Sequence, residues 1–193
     1  RLADGGARKL VLADINGDKL NELATTVNCE TMLLTGDVAD EALWQSADLA
    51  GLTHAVANAG IGEGRPIADS TLADWRRVMS VNLDGVFLTL KAAMAAMRGR
   101  GGAIVLTASV AGVKAAPGIG AYGASKAAVI QLARVAAKEG APQRIRVNSI
   151  APGGVETPIW TGIPMFDQLV QTFGSQEAAF RKMGKAATAL ARI

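Results

Sequence analysis

Short apolar, β-branched runs alternate with longer helix-like stretches along most of this 193-residue chain. The runs predict strands at residues 9–14, 32–37, 54–58, 103–109 and 145–150. The stretches between them predict helices at residues 18–27, 41–49, 72–98 and 121–140. Strands that alternate with helices in this way build a parallel sheet covered by helices. The pattern therefore predicts an α/β fold with a doubly wound parallel sheet.

Composition limits the number of domains and the kinds of partner. The chain is 50% hydrophobic, which is enough to bury a core. Its 193 residues leave room for a single domain, so we assign residues 1–193 to one domain. The net charge is +3 and aromatic residues make up 4% of the chain, with basic residues scattered rather than clustered. Nucleic-acid binding calls for a clustered basic face with stacking aromatics, so we expect no nucleic-acid partner.

Cysteine content and hydropathy bear on the compartment. Cys29 is the one cysteine, so no internal disulfide can form. The sequence shows neither a signal-peptide pattern nor an uninterrupted apolar run of membrane-spanning length. We therefore expect a cytoplasmic protein without a membrane partner.

Polar or backbone-permissive residues stand where each predicted strand ends. They are Asp14, Asp37, Asn58-Ala59-Gly60, Ser109 and Pro152-Gly153. Ligands of open α/β sheets bind in the crevice outside the carboxyl ends of the strands. We therefore expect these positions to border one site.

The one tyrosine of the chain, Tyr122, stands four residues before Lys126 in an alanine-rich stretch. In a helix this spacing projects the phenol and the ammonium from one face. A neighbouring cation favours the phenolate, which makes a tyrosine usable for proton transfer at an alcohol or carbonyl. The alternative is an ordinary helix with a tyrosine and a lysine on its surface.

Seven signals in order along the chain resemble the short-chain dehydrogenase/reductase family. They are Asp14 at a strand end, Asp37-Val38, Ala57-Asn58-Ala59-Gly60, Ser80-Val81-Asn82, Thr107-Ala108-Ser109, Tyr122-x-x-x-Lys126, and Pro152-Gly153 with Thr157. The resemblance implies a Rossmann-like fold and hydride exchange between a nicotinamide and an alcohol or ketone carbon. We assign no residue to a metal.

The resemblance also implies a role for each catalytic candidate. Tyr122 would be the acid/base at the substrate oxygen, and Lys126 would favour the phenolate and bind the nicotinamide ribose. Ser109 would donate a hydrogen bond to the substrate oxygen, although it could instead cap a turn. Asn82 would hold a water beside Lys126, although it could instead satisfy backbone groups in a helix kink.

The cofactor implied by the resemblance is NAD rather than NADP. The carboxylate of Asp14 can accept hydrogen bonds from both hydroxyls of the adenosine ribose, and it would repel a 2′-phosphate. No basic residue follows directly, since Ile15 and Asn16 come next. The alternative is that Asp14 caps the following helix. The other cofactor contacts implied by the resemblance are Asp37, Val38, Asn58, Ala59, Gly60, Tyr122, Lys126, Pro152, Gly153, Val155 and Thr157.

Three functions follow as hypotheses. The first is an NAD-dependent dehydrogenase or reductase acting on a fairly apolar secondary alcohol or ketone, with a substrate lid near residues 157–190. The bulk of Ile159, Trp160, Ile163, Met165 and Phe166 suggests the apolar substrate. The second is reduction of a 3-oxoacyl-carrier thioester, with Arg76, Arg77, Arg98 and Arg100 meeting an acidic carrier. The third is a non-catalytic binding or scaffold protein that cannot hold a dinucleotide.

The predicted helices at residues 72–98 and 121–140 are apolar on more than one face. A helix that only covers a sheet needs one apolar stripe, so the wider surface indicates a second partner. We expect a homo-oligomer, a dimer or a tetramer, formed through these two helices.

The chain also departs from the family pattern. It shows no first strand with a glycine-rich turn for the pyrophosphate, and residues 1–6 resemble the tail of the helix that would follow that turn. Since that strand is central in the family's strand order, its absence predicts two unpaired strand edges within the sheet. A last helix and strand are also missing after residues 191–193. We therefore expect a partial sequence.

Overall fold

A computed structural model describes residues 2–160 and 162–187. Its strands are β1 (Lys9–Asp14), β2 (Glu30–Thr35), β3 (His54–Ala57), β4 (Gly102–Thr107) and β5 (Ile145–Ile150). Its α-helices are α1 (Gly17–Thr26), α2 (Glu41–Gln45), α3 (Leu72–Met79), α4 (Gly85–Ala96), α5 (Gly120–Gly140), α6 (Pro164–Phe173) and α7 (Gln176–Ala187). This succession of strands and helices confirms the predicted α/β fold.

All strand pairs are parallel, and they form two sheets rather than one. One sheet has the order β1-β2 and the other has the order β3-β4-β5. Among the described residues, β1 pairs with β2 alone and β3 pairs with β4 alone. The division falls between β1 and β3, which is the place of the central strand in the strand order that the resemblance implies.

The main core lies between the three-stranded sheet and the two long helices α4 and α5. It contains Val86, Leu90 and Ala93 of α4 and Met97, which directly follows that helix. From α5 it contains Val129, Ala133 and Ala136. They pack against the strand residues Ala57, Ile104, Leu106, Ile145 and Val147. Burial of these apolar side chains fixes α5, and with it the positions of Tyr122 and Lys126, against the sheet.

A separate set of contacts joins the β1-β2 sheet to the rest of the chain. Val38, which follows β2, packs on the start of α4, where a Cβ placed on Gly85 would lie 2.7 Å from Val38 Cγ2. Trp44 of α2 donates from Nε1 to the carbonyl of Val38 at 2.8 Å. An exposed ion pair joins Lys91 to Glu41 at 2.6 Å. The close approach of Val38 therefore depends on the absence of a side chain at Gly85.

The predicted helix at 72–98 is continuous, but it contains a π-helical turn at Ser80–Asp84. Its start is fixed by a capping box between Thr71 and Asp74. Single-turn π segments occur often at functional sites, and this one carries the buried Asn82. The periodicity of the sequence did not reveal the extra residue in this turn.

The prediction of a helix at 41–49 was wrong beyond Gln45, where α2 ends. The Ser46 hydroxyl donates to the carbonyl of Leu43, and the Asp48 carboxylate accepts from the backbone N–H of Ala50. Such local side-chain bonds offer the backbone an alternative to the helix. The strand predictions at 32–37, 54–58 and 103–109 likewise ran too far, since the observed strands end at Thr35, Ala57 and Thr107. Asp37, Asn58 and Ser109 therefore lie in the loops just after their strands.

The run Leu72–Ala96 is long and apolar enough, by length and composition alone, to cross a membrane, and it is the one such run in the described part of the chain. Its Val86, Leu90 and Ala93 lie in the core against the sheet. Arg76, Arg77 and Asp84 also interrupt its apolar sequence. Packing in an α/β core accounts for these three apolar residues, and core helices of soluble proteins pass the same test.

The helices α6 and α7 form a hairpin with a small core of their own. Phe166, Ala179 and Phe180 are buried in it, and the Trp160 ring packs against both phenylalanine rings. Residues 188–190 of the predicted lid lie outside the described residues, as do Thr161 and residues 191–193. Trp160 and Phe166 thus pack within the hairpin, so the expectation of an apolar substrate has no support from these two side chains.

Candidate active site

The sequence-predicted site residues follow the carboxyl ends of the strands in both sheets. Asn58, Gly60, Ser109 and Pro152 follow the strands of the three-stranded sheet, while Asp14 and Asp37 follow those of the other. Gly60 lies against Asn82 and Lys126, while the others of the first group are linked through the residues next to them. Asp14 and Asp37 have their contacts within their own loops.

Tyr122 and Lys126 lie on the same face of α5, as their spacing predicts. Lys126 Nζ is 5.8 Å from the centroid of the Tyr122 ring. Tyr122 is half-buried, whereas Lys126 is 2% exposed. The alternative of two ordinary surface side chains is therefore wrong for Lys126.

The ammonium of Lys126 is held by the end of β4. Nζ donates to the carbonyl oxygen of Thr107 at 2.9 Å, and the Thr107 hydroxyl donates to Asn58 Oδ1 at 3.2 Å. Burial lowers the pKa of Lys126 below its ordinary value, because the charged form loses solvation. A Cβ placed on Gly60 would lie 3.4 Å from Nζ, so the loop after β3 closes the other side of this group.

Ser109 is buried and stands at the start of the 3₁₀ turn Val110–Gly112. Its Oγ accepts from the backbone N–H of Ala111 at 3.2 Å, which is the capping role that the sequence left open as an alternative. The backbone N–H of Val110 donates to the carbonyl of Pro152, which ties the turn to the end of β5. A hydroxyl that accepts one bond keeps its own proton to donate, so capping and donation to a substrate are compatible.

The turn that carries Ser109 lies directly on α5. A Cβ placed on Gly112 would lie 2.7 Å from the carbonyl carbon of Lys126 and 2.8 Å from its oxygen. A Cβ on Gly123 would lie 3.1 Å from the carbonyl oxygen of Ala111. Two glycines thus allow the backbones to approach closely, which places Ser109 next to the helix of Tyr122 and Lys126.

Asn82 has no exposed surface, and its amide is saturated by neighbours. Oδ1 accepts from the backbone N–H of Ile61 at 2.8 Å, and Nδ2 donates to the Ile61 carbonyl at 3.0 Å and to Ser125 Oγ at 3.3 Å. The side chain therefore satisfies backbone groups of the loop after β3 rather than of its own helix. A water held beside Lys126 stays a prediction.

The residues predicted to contact the cofactor form two groups. Asp14 and Asp37 are exposed, and one carboxylate oxygen of each accepts a backbone N–H two residues on, from Asn16 and from Ala39. Val38, next to Asp37, is buried against Gly85. Beyond β5, Gly153 is exposed with open space where a Cβ would be, and the Val155 carbonyl accepts from Trp160 Nε1. Thr157 is exposed and its hydroxyl donates to the same carbonyl, at 3.5 Å.

These two groups fit the ends of a dinucleotide. An exposed carboxylate suits ribose hydroxyls, and the open space at Gly153 leaves room for a ring and its amide. We assign none of residues 2–160 and 162–187 to the pyrophosphate, because they do not include the first strand and glycine-rich turn that hold this group in the family pattern. In the same residues, no group of three His, Cys, Asp or Glu side chains could hold a metal ion.

Sequence reasoning missed two residues of this site. Ser125 bonds to Asn82, and the backbone of Thr107 holds the ammonium of Lys126. The one sequence signal for Ser125 is a serine inside an alanine-rich helix, where its hydroxyl needs a partner if it is buried. Every residue has a backbone carbonyl, so the amino-acid sequence gives no signal for a backbone acceptor.

Comparisons with known proteins agree with this arrangement. A family model of short-chain dehydrogenases, described as enoyl-(acyl carrier protein) reductase, matches residues 1–191. The chain is 34% identical over 177 residues to trans-4-hydroxycyclohexanecarboxylate dehydrogenase of Sinomonas cyclohexanicum, a match that covers 84% of this chain and 68% of that protein.

Solved structures give the same result. The chain is similar to levodione reductase, with a TM-score of 0.81 and 32% identity over 94% of this chain and 74% of that one. It is also similar to NAD⁺-bound xylitol dehydrogenase, with a TM-score of 0.79 and 31% identity over 92% of this chain and 74% of that one. These neighbours confirm the predicted Rossmann-like fold. On its sequence, fold and site together, the chain belongs to the short-chain dehydrogenase/reductase family of oxidoreductases.

Proposed function

We propose that the chain is an NAD-dependent oxidoreductase that interconverts a secondary alcohol and a ketone. The observation that carries this proposal is the buried Lys126 ammonium, 5.8 Å from the ring of the single tyrosine, beside the turn that holds Ser109. An unpaired buried charge is costly, so its place beside a phenol indicates use in proton transfer.

Each side chain has a definite part in this proposal. The nicotinamide, when bound, supplies or takes up the hydride. Tyr122 gives a proton to the substrate oxygen during reduction and removes it during oxidation. The Ser109 O–H donates to the same oxygen and stabilises its developing negative charge. The ammonium of Lys126 lies near the phenol ring and attracts the negative charge that develops on Tyr122 as its proton moves to the substrate.

Asp14 supports NAD over NADP. Its exposed carboxylate follows β1, and one of its oxygens is oriented by the backbone N–H of Asn16. A 2′-phosphate at this place would meet a like charge, and Ile15 offers no compensating cation. The solved relative with bound NAD⁺ is consistent with this choice.

For the substrate, we propose a secondary alcohol or ketone on a small, fairly apolar carbon skeleton. The relative that acts on trans-4-hydroxycyclohexanecarboxylate supports a ring alcohol. Within the lid, Ile159 and Ile163 approach the loop after β3 at Gly62, where a Cβ would lie 2.8 Å from the Ile159 carbonyl oxygen and from Ile163 Cδ1. These two residues, rather than Trp160 and Phe166, are the support from the chain itself.

The acyl-carrier alternative has support from the description of the matching family model. The arginines argue against it, because Arg77 pairs with Glu63 at 3.8 Å. Arg98 and Arg100 come before β4, whereas Ser109 follows it, and six strand residues span roughly 20 Å. Arg98 and Arg100 therefore lie at the opposite end of the strands from Ser109.

The helices α4 and α5 support a homo-oligomer. Phe87 is 47% exposed and Val135 is 42% exposed, and both line one shallow groove. The other residues of this groove are Leu83, Asp84, Ala128, Gln131 and Leu132. A second copy of the same helix pair presents a matching apolar surface, so we propose that two copies bury this groove against each other.

Replacing Tyr122 by Phe tests the proposed chemistry. The change removes one hydroxyl and leaves the ring beside Lys126, so cofactor affinity and melting temperature should stay at the parent's values. Turnover should fall by at least about a hundredfold, because the proton carrier is lost.

The measurement is formation of reduced nicotinamide with a panel of cyclic and acyclic secondary alcohols, with primary alcohols as controls. Turnover within a few-fold of the parent's would remove Tyr122 from the mechanism, and a parent that turns over no member of the panel would favour the acyl-carrier or the non-catalytic alternative.

The choice of NAD is tested by Asp14→Asn, which keeps an oxygen for the N–H of Asn16 and removes the charge. The ratio of NADP to NAD affinity, measured by titration calorimetry, should rise about tenfold or more, which corresponds to about 1.4 kcal/mol. Asp18→Asn changes net charge equally at an exposed position of α1 and should leave the ratio unchanged. An unchanged ratio in Asp14→Asn would show that this carboxylate does not select the cofactor.

The proposed interface is tested by Phe87→Asp. A carboxylate in the buried groove would be desolvated on association, so this variant should sediment as a smaller species than the parent. Leu72→Asp, at an exposed position at the start of α3, is the matched control and should sediment like the parent. A Phe87→Asp variant with the parent's sedimentation coefficient would place the interface elsewhere.

A further inference from the structure

Ser125 is a buried polar residue to which the proposed chemistry assigns no part. It lies in the second turn of α5, between Tyr122 and Lys126 in sequence, and has no exposed surface. A serine in a helix interior is neutral to unfavourable, and a buried hydroxyl is costly unless it is bonded. The neighbouring alanines show that a smaller apolar residue suits this helix, so the hydroxyl calls for an explanation.

The hydroxyl of Ser125 connects two groups of the candidate active site. It donates to the backbone carbonyl of Tyr122 at 2.7 Å. It accepts from Nδ2 of Asn82 at 3.3 Å. It thus joins the π-helical turn to the turn of α5 that carries the phenol.

For each hydrogen bond of Asn82 and Ser125, only one of the two partners can be the donor. The backbone N–H of Ile61 must face the oxygen of the Asn82 amide, which leaves Nδ2 as the donor towards Ser125 and the Ile61 carbonyl. The backbone carbonyl of Tyr122 can only accept, so the proton of Ser125 points there and its lone pairs face Asn82. Each partner therefore fixes the orientation of the next.

We infer that Ser125 is a positioning residue that fixes Asn82 relative to the Tyr122 turn of α5. This inference rests on the proposed function, in which Tyr122 transfers the proton, and on the prediction that Asn82 holds a water beside Lys126. Without the Ser125 oxygen, a buried N–H of Asn82 loses its partner, and the amide can relax away from α5. Displacement of a catalytic group by about 1 Å can lower the rate by about a hundredfold.

The kinetic test compares Ser125→Ala with a matched control on the same helix. Val129 lies one helical turn further along the same face of α5, in the hydrophobic core. Val129→Ala removes two buried methyl groups, so it destabilises α5 without changing a hydrogen bond of the site. Ser125→Ala should lower kcat about tenfold or more and leave the Kd for NAD within about twofold. Val129→Ala should keep the parent's kcat despite a loss of stability at least as large.

A second readout needs neither turnover nor cofactor. Because Tyr122 is the one tyrosine of the chain, labelling with 3-fluorotyrosine gives a single ¹⁹F resonance. In the cofactor-free chain, Ser125→Ala should shift or broaden this line, whereas Val129→Ala should leave it at the parent's position. A parent without turnover would contradict the proposed function, while the ¹⁹F comparison would still decide the role of Ser125.

Ser125→Cys covers the case in which Ser125→Ala does not fold. A thiol has nearly the shape of the hydroxyl but is a weaker donor and acceptor, so kcat and the ¹⁹F line should change in the same direction by a smaller amount. The inference is overturned if the serine variants that fold keep both the kcat and the ¹⁹F line of the parent. It is also overturned if Val129→Ala produces the same changes as Ser125→Ala.

Discussion

The burial of one charged amine organises the candidate active site. The ammonium of Lys126 is almost fully removed from water and is held by the backbone carbonyl of Thr107 at the end of β4. Burial lowers its pKa, because the charged form loses solvation when the chain folds. The surrounding groups are arranged as this constraint requires: a backbone acceptor on one side, the loop at Gly60 on another, and the Tyr122 ring along the helix.

The long helix α5 is the element that brings these groups together. Its core face, with Val129, Ala133 and Ala136, packs against the three-stranded sheet, and its first turns carry the reactive side chains. The glycine contact at Gly112 brings the Ser109 turn onto the same helix. A site built on a packed helix and on strand ends is held more rigidly than one built on loops alone. The same packing that stabilises the domain therefore sets the distances that proton transfer requires.

Much of this arrangement could be predicted from the sequence, because its signals are local. The strands β1 and β5 and the side of α5 that carries Tyr122 and Lys126 follow from apolar periodicity, while the division between β1 and β3 was expected from the resemblance alone. What could not be predicted depends on contacts distant in sequence. The π-helical turn at Asn82, the early end of α2, and the packing of Trp160 on Phe166 and Phe180 each reflect bonds or contacts that leave no periodic signal. Three strand ends were placed too late because a strand ends where pairing with its neighbour stops, which side-chain type does not reveal.

The most direct test of this account is the pH dependence of stability in the parent and in Lys126→Met, measured by urea unfolding. Because the folded pKa of Lys126 is lowered, the unfolded chain binds the proton more readily, and the buried charge destabilises the fold below that pKa. Stability is recovered as pH rises through the folded pKa towards the ordinary value of lysine, so the parent should gain stability relative to the methionine variant over this range. A difference between the two that does not change with pH would show that the ammonium is solvated, and would contradict the buried charge on which the proposed chemistry depends.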